Sequence, residues 1–245
     1  VSGINLHDEV TGSKAGIKAK AVINATGAWA DRLREALAGE RKVRPQRGSH
    51  VVLMPGRLPM AEAVIFMHPH DQRPLFIYPW EGRTVIGTTD LDHRDDLDVE
   101  ATITSLEFDY ILQGINAQFP HEKITRDDVV ATFSGVRPIV ASGVGVNPSA
   151  ERRDHSVWDD AGLITVTGGK LTTFRLIALD ALHAASRYFP GINAVDTKAA
   201  VFRPVGVIET KWPVSDLMRL KGRFGFYASQ FLKESVPTEM KAIPQ

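Results

Sequence analysis

Residues 168 to 175 read GGKLTTFR and follow an apolar run that contains Leu163, Ile164 and Val166. Two glycines, a lysine and two threonines at a strand-to-helix junction are suited to seating an anion or a cofactor. Unpaired N–H groups at a helix N-terminus point at whatever sits there, and glycine lets it come close. The competing reading is a glycine-rich turn with Lys170 in solvent. A Walker A loop is excluded, because Ile164 stands where its first glycine is required and Leu171 follows Lys170 in place of Ser or Thr. GVGVNP, at 143 to 148, starts like a dinucleotide fingerprint, but it lacks the third glycine and no helical pattern follows, so it reads as a loop. His68 and His70 in MHPH have no third ligand nearby and read as surface loop rather than a metal site. Asp92, His93, Asp95, Asp96 and Asp98 lack the glycine turn and terminal glutamate of a calcium loop and read as a solvated loop. No metal is expected.

The bulk properties narrow the partners. The chain has 245 residues, 43% hydrophobic and 24% charged, with 29 Lys and Arg against 29 Asp and Glu. That is a globular composition able to bury a core in one or two domains, with no bulk field to draw nucleic acid. Without cysteine there are no disulfides and no thiolate chemistry, which suits a reducing, cytoplasmic setting. No apolar run approaches the ~20 residues needed to span a bilayer, and no signal peptide is visible. The basic run Arg41, Lys42, Arg44 and Arg47 leaves peripheral contact with an anionic membrane as an option, although nothing amphipathic adjoins it. The chain begins at Val1 without an initiator methionine and reads as a fragment.

The elements that must position these residues follow from periodicity. Residues 3 to 23 read as short strands around DEVTGSKAG, and the last runs through Gly27 into the helix AWADRLREALAG. HVVLMP and LFIYPWEGRTVIGTTD read as antiparallel strands with Glu81 and Gly82 at a hairpin turn. Phe108, Ile111, Leu112, Ile115 and Phe119 recur at helical spacing behind a Thr104–Glu107 capping box. DVVATFSGVRP reads as a strand ending at Pro138, and HSVWDDAGLITVTG as a hairpin feeding GGKLTTFR. Phe174, Ala178, Ala181, Leu182 and Ala185 define one face of the next helix, which Pro190 and Gly191 stop. SDLMRLKGRFGFYASQFLKE reads as one further helix capped by Ser215. Trp80, Trp158 and Trp212 are expected to pack cores or edges.

The set INATGAWADRL, VRPQRGSHVVL, FIYPWEGRTVIGTTD, FSGVRP and RRDHSVWDDAGLITVTGGKLTTFRLIALDAL resembles the FAD-dependent glycerol-3-phosphate dehydrogenase family. Five motifs in the right order cover roughly residues 20 to 190, and SDLMRLKGRFGFYA is similar to the opening of that family's C-terminal helical domain. The resemblance implies an α/β (α+β) chain: a partial glutathione-reductase-type FAD-binding domain, from 1–43 and 150–190, around an inserted, largely antiparallel substrate domain at 44–149. Residues 191–245 would be a linker and the start of the C-terminal domain. The family's N-terminal GxGxxG half is not in the sequence.

On this resemblance the parent enzyme oxidises sn-glycerol 3-phosphate to dihydroxyacetone phosphate by hydride transfer to FAD. A quinone or other acceptor takes the electrons onward. Gly168, Gly169, Lys170, Leu171 and Thr172 are implied to meet the isoalloxazine end, where main-chain donors at the helix start favour negative charge on the ring. Ala25, Thr26 and Gly27 are implied to be a second flavin contact, against the reading of Thr26 as a helix cap. Arg137 in GVRP is the candidate phosphate binder, because a guanidinium offers a planar fork of donors. His50 in GSHVV resembles the family's active-site histidine and could contact or deprotonate the C2 hydroxyl, the alternative being a structural histidine. Which of His50, Arg137 and Lys170 takes the proton stays open. Thr88, Thr89 and Asp90 are expected to support rather than react. The rivals are a related flavin-dependent amino- or hydroxy-acid oxidase, since an arginine before proline can equally bind a carboxylate, and a noncatalytic binding module.

Overall fold

The computed structural model describes residues 1–38, 40–141, 151, 153–191, 196–209, 212–236 and 239. The GVGVNP segment lies outside them. The chain divides into two compact units, Val1–Asn193 and Ala194–Gln245, and its class is mixed α/β.

In the first unit β1 (Gly3–His7) and β2 (Lys14–Lys18) form an antiparallel hairpin, whose turn is tied by Asp8 Oδ1 accepting from the Val10 and Thr11 N–H groups. β3 (Val22–Asn24) leads through one 3-10 turn, Gly27–Trp29, into α1 (Ala30–Ala38). Next come β4 (Val43–Leu53), β5 (Val64–Met67), β6 (Pro74–Trp80), β7 (Arg83–Gly87) and β8 (Leu91–Asp92). They are followed by α2 (Ser105–Gln118), β9 (Val129–Val140), β10 (His155–Asp160), β11 (Leu163–Gly168) and α3 (Phe174–Ser186).

Two sheets matter for function. β10, β11 and β3 lie in that order, with β11 parallel to β3. The other sheet has the order β5-β6-β7-β4-β8, with β9 also on β4. The 11-residue strand β4 is its spine, pairing with β9 from Val43 to Leu53, with β7 along its second half and with β8 near its start. Two-residue loops close the β6–β7 and β10–β11 hairpins. Glu81 and Gly82, and likewise Ala161 and Gly162, have positive φ, so the turn twists with its strands. The Glu81–Gly82 turn stands where the sequence places it.

α2 covers one face of the large sheet. Phe108, Ile111 and Ile115 pack on Val51, Leu53, Leu75, Ile77 and Ile86 to form the main core. Its capping box is as read: Thr104 Oγ1 accepts from Glu107 N–H, and the Glu107 carboxylate accepts from Thr104 N–H.

Several sequence expectations need correction. β4 begins at Val43, inside the basic run, because each arginine there has an acidic partner. Arg41 pairs with Glu35, Arg44 with Asp92 and Glu151, and Arg47 with Asp95 and Glu107. Arg44 and Arg47 are thus paired within the fold while Arg41 stays exposed, and the acidic loop is solvated as read at Asp95, Asp96 and Asp98, the last two bound to Arg32, whereas His93 is buried. β9 does not stop at Pro138 but runs to Val140. Pro138 lies opposite Pro45, whose carbonyl accepts from His93 N–H on the far side of β4. At this non-hydrogen-bonded pair Pro138 needs no N–H toward β4.

α3 buries Ala181 and Ala185, whereas Phe174, Ala178 and Leu182 are exposed, and it ends at Ser186. His68 is buried rather than on the surface. Its ring stacks on Tyr110 at 3.7 Å, Nε2 donates to the Tyr110 carbonyl at 3.0 Å, and Nδ1 accepts from His70 N–H. Trp80 stands exposed beside its hairpin turn.

The second unit holds α4 (Val214–Phe224) and α5 (Ala228–Glu234) in place of a single helix. Gly225 takes a φ of 51° and breaks the run, and Phe224 packs on Phe231 across the break. The N-cap is Pro213, not Ser215. Among the described residues no helix is long and apolar enough to cross a membrane, and no cluster of three His, Asp or Glu is placed to hold a metal ion.

Candidate active site

The first cluster forms where β3 and β11 end. Their parallel register, Val22 with Leu163 through Asn24 with Thr165, puts the residues after each carboxyl end side by side. Ala25, Thr26 and Gly27 follow one strand; Gly168, Gly169 and Lys170 follow the other. Thr167 Oγ1 donates to the Gly27 carbonyl at 3.2 Å and ties the two loops. Gly27, Gly168 and Gly169 all have φ between 63° and 81°, which side chains resist, and a Cβ on Gly168 would lie 2.6 Å from the Asp154 carbonyl oxygen. The reading of Thr26 as a helix cap fails: its hydroxyl donates to Asn24 Oδ1 at 2.7 Å instead. Asn24 itself is buried, with its amide on the Ala30 carbonyl and Thr165.

Past Lys170 the chain turns through Leu171–Thr173 into α3, with Lys170 N–H on Thr173 Oγ1. Leu171 is 89% exposed, and Lys170 and Thr172 are exposed beside it. The first N–H groups of a helix have no acceptor inside it, so this start presents donors to an open surface. The Lys170 ammonium has no ion-pair partner among the described residues.

The second cluster lies on the face of the large sheet opposite α2. Alternation along β4 sends Gln46, Gly48 and His50 to this face, and the register sets them against Arg137, Gly135 and Phe133 of β9. The Arg137 guanidinium lies over Gly48, where any Cβ would meet it at 2.0 to 2.3 Å. From there Nη1 donates to Asp90 Oδ1 at 2.7 Å and Nη2 to Thr88 Oγ1 at 2.8 Å. Burial and nearby Arg153 push the Arg137 pKa down while Asp90 raises it. His50 stacks on Phe133 at 4.5 Å and 6°, above Gly87. Burial, and then the charge of Arg137, push its pKa down to about 4, so the ring is neutral at physiological pH. Its Nδ1 is buried without a hydrogen-bond partner.

Arg153 links the two clusters. It stands two residues before His155, which pairs with Gly168, and its Nη2 donates to both oxygens of Asp90 at 3.0 and 2.9 Å. Asp90 thus receives two guanidinium groups, one from β9 and one from the residue that stands two before β10. A Cβ on Gly168 would also lie 3.1 Å from Val140 Cγ2 on β9. Sequence reasoning missed Arg153, Phe133 and Gly48. The period of two along β9, Phe133–Gly135–Arg137, was the available signal for Phe133, and the glycine before Ser49 and His50 was the one for Gly48. No local signal marks Arg153.

A cationic face with a neutral imidazole, beside an open helix start, is chemically equipped to hold a phosphorylated alcohol against the edge of an electron-accepting ring. Comparison with known proteins shows the family. A family profile described as FAD dependent oxidoreductase matches residues 1–179. The aerobic glycerol-3-phosphate dehydrogenase of Staphylococcus aureus is 35% identical over 190 residues, covering 76% of this chain and 34% of the relative. Among solved structures, the glycerol-3-phosphate dehydrogenase of Bacillus halodurans complexed with FAD superposes with a TM-score of 0.76 at 28% identity, over 95% of this chain and 48% of that one. The FAD-bound L-alpha-glycerophosphate oxidase of Mycoplasma pneumoniae shares the fold at a TM-score of 0.50 and 22% identity, over 76% of this chain and 50% of its own. The chain therefore spans about a third of the curated relative and about half of each solved one.

Proposed function

Since the chain belongs to the FAD dependent oxidoreductase family, we propose that it supplies the flavin-facing and substrate-facing parts of an enzyme that oxidises sn-glycerol 3-phosphate to dihydroxyacetone phosphate. In this reading 1–43 and 150–190 are segments of a glutathione-reductase-type FAD-binding domain, 44–149 is an inserted antiparallel substrate domain, and 191–245 links to a C-terminal helical domain. What carries the reading is the placement of Arg137 and His50 on one sheet face, joined through Asp90 and Arg153 to the strand that opens into GGKLTTFR.

The residues present fit a flavin. Ala25 to Gly27 and Gly168 to Thr172 line the carboxyl ends of a parallel strand pair, where ligands of open α/β sheets bind, and the exposed helix start offers N–H donors to an electron-rich ring edge. Bound there, FAD would supply the acceptor for the hydride that leaves C2 of the substrate. The chain does the rest. Arg137 presents its unused N–H groups to the phosphate oxygens while Asp90 and Thr88 hold its plane. Lys170 adds a mobile positive charge. Neutral His50 accepts a hydrogen bond, and then the proton, from the C2 hydroxyl, and stacking on Phe133 keeps its ring in plane. Electrons then pass to a quinone or another acceptor.

Arg137→Ala tests the reading in the FAD-loaded enzyme. Removing a hydrogen-bonded charge should cost roughly 2 to 5 kcal/mol, or about 30- to several-thousand-fold in specificity constant for glycerol 3-phosphate, with folding intact. A near-normal specificity constant in the folded variant removes Arg137 from the site. Faster turnover of a 2-hydroxy or amino acid by the unmutated enzyme would favour the oxidase alternative.

A further inference from the structure

Behind the proposed site, on the face that α2 covers, lies a carboxylate that is only 2% exposed: Glu107. Its role in the capping box uses one side of the group, since Oε2 accepts from Thr104 N–H at 3.0 Å and Thr104 Oγ1 at 2.8 Å. The other oxygen faces the sheet. Oε1 accepts from Thr89 Oγ1 at 2.7 Å and Ser49 Oγ at 2.8 Å, and Arg47 Nη2 lies 3.1 Å from Oε2. Thr89 Oγ1 in turn accepts from Ser49 N–H at 3.0 Å. Ser49 has spent its one hydroxyl proton on Glu107, so the 2.7 Å contact between Ser49 and Ser134 must be donated by Ser134.

The residues tied down in this way are the chain neighbours of the site. Ser49 sits between Gly48, which bears the Arg137 guanidinium, and His50. Thr89 sits between Thr88 and Asp90, the two side chains that hold Arg137. Ser134 follows Phe133, the ring on which His50 stacks. Two separate pieces of backbone, from β4 and the loop after β7, thus converge on one buried anion, and β9 is tied to them through the Ser134–Ser49 contact. We propose that Glu107 is a positioning residue: from behind the sheet it fixes the backbone that aims Arg137 and His50 at the substrate.

A helix cap alone would need neither Ser49 nor Thr89. Because hydrogen bonds to a buried anion are strong and directional, the group sets geometry as well as stability. The proposal rests on the reading of Arg137 and His50 given above.

Two variants of the FAD-loaded enzyme test it. Glu107→Gln keeps the helix cap, since glutamine also serves in a capping box, but it turns an amide N–H₂ toward hydroxyl donors or leaves them unmet. Thr89→Val removes the hydroxyl that bridges Ser49 and Glu107 and leaves α2 untouched. Each should lower the specificity constant for glycerol 3-phosphate by about tenfold or more, since misplacement by an ångström can cost ~100-fold. The two should be non-additive in the double variant. Independently of turnover, the His50 titration followed by NMR should move from about 4 toward its ordinary 6.5 as the ring loosens from Arg137 and Phe133.

A Glu107→Gln variant with a lowered melting temperature but unchanged specificity constant and unchanged His50 titration would reduce Glu107 to a cap and overturn the proposal. If Glu107→Gln fails to fold, Thr89→Val decides by the same readouts. If Arg137→Ala leaves turnover unaltered, the substrate reading falls, while the His50 titration still judges Glu107.

Discussion

His50 shows how position sets chemistry at the scale of one residue. An imidazole in water would be partly charged near neutrality, but here burial and the Arg137 guanidinium disfavour the charged ring and bring its pKa to about 4. The group binds a proton more readily in the unfolded chain, near 6.5, than in the folded one. Between pH 6.5 and about 4 the unfolded state is therefore the more protonated, and His50 makes the fold less stable as pH falls through that window. Urea midpoints measured from pH 7 to 4 should show this decline, and His50→Gln should flatten part of it. A variant whose midpoints fall just as steeply would place the titration elsewhere. The same shift implies that the specificity constant has no inflection near 6.5 from His50.

At the scale of elements, function depends on a register. Arg137 reaches Thr88 and Asp90 only because Gly48, next along β4 on the same face, leaves room for its guanidinium. The obstructing atoms belong to the end of a flexible side chain, so Gly48→Ala should fold, with Arg137 driven off its partners. Glycerol 3-phosphate turnover should then fall toward that of Arg137→Ala, while the circular dichroism spectrum stays the same. Full activity in Gly48→Ala would show that Arg137 works from another position.

Elements of this kind were legible to different degrees. The Glu81–Gly82 turn, the hairpin before GGKLTTFR and the α2 capping box could be read from residue types, because turn and cap chemistry is local. The face of α3 was read correctly only at Ala181 and Ala185, and the break at Gly225 was missed. Apolar periodicity in α3 names several possible faces, and burial of Ala181 and Ala185 against the sheet chooses among them. In the second unit a glycine inside a helical pattern ends the helix only if its φ turns positive.

For the whole molecule, 29 cations balance 29 anions, and among the described residues Arg44 and Arg47 each bridge two carboxylates. Flavin binding is the property that depends most on extent. No GxGxxG occurs in the 245 residues, so on the proposed reading the chain's own contacts fall at the flavin end. At about 0.3 kcal/mol per non-hydrogen atom, the roughly 25 atoms of the ADP half are worth on the order of 7 kcal/mol, or about five decades of affinity. Purified alone, the 245-residue chain should be colourless and should fail to reduce a dye with glycerol 3-phosphate when FAD is added. Micromolar or tighter binding with turnover, seen by absorbance titration, would show that the flavin-end contacts suffice.

Residue types in sequence determined the strand-to-helix junction at Gly168 to Thr172, the hairpins, the α2 cap and the candidacy of His50, Arg137 and Lys170. Each rests on chemistry within a few residues. Tertiary structure alone decided what those groups touch. Asp90 meets Arg137 across 47 residues and Arg153 across 63, and Ser49 meets Glu107 across 58. The burial of His68 and the pairing of the basic run were decided in the same way. Such partners are chosen by sheet register and by the cost of leaving a charge or a polar group unmatched inside the fold. Neither leaves a mark on the local pattern.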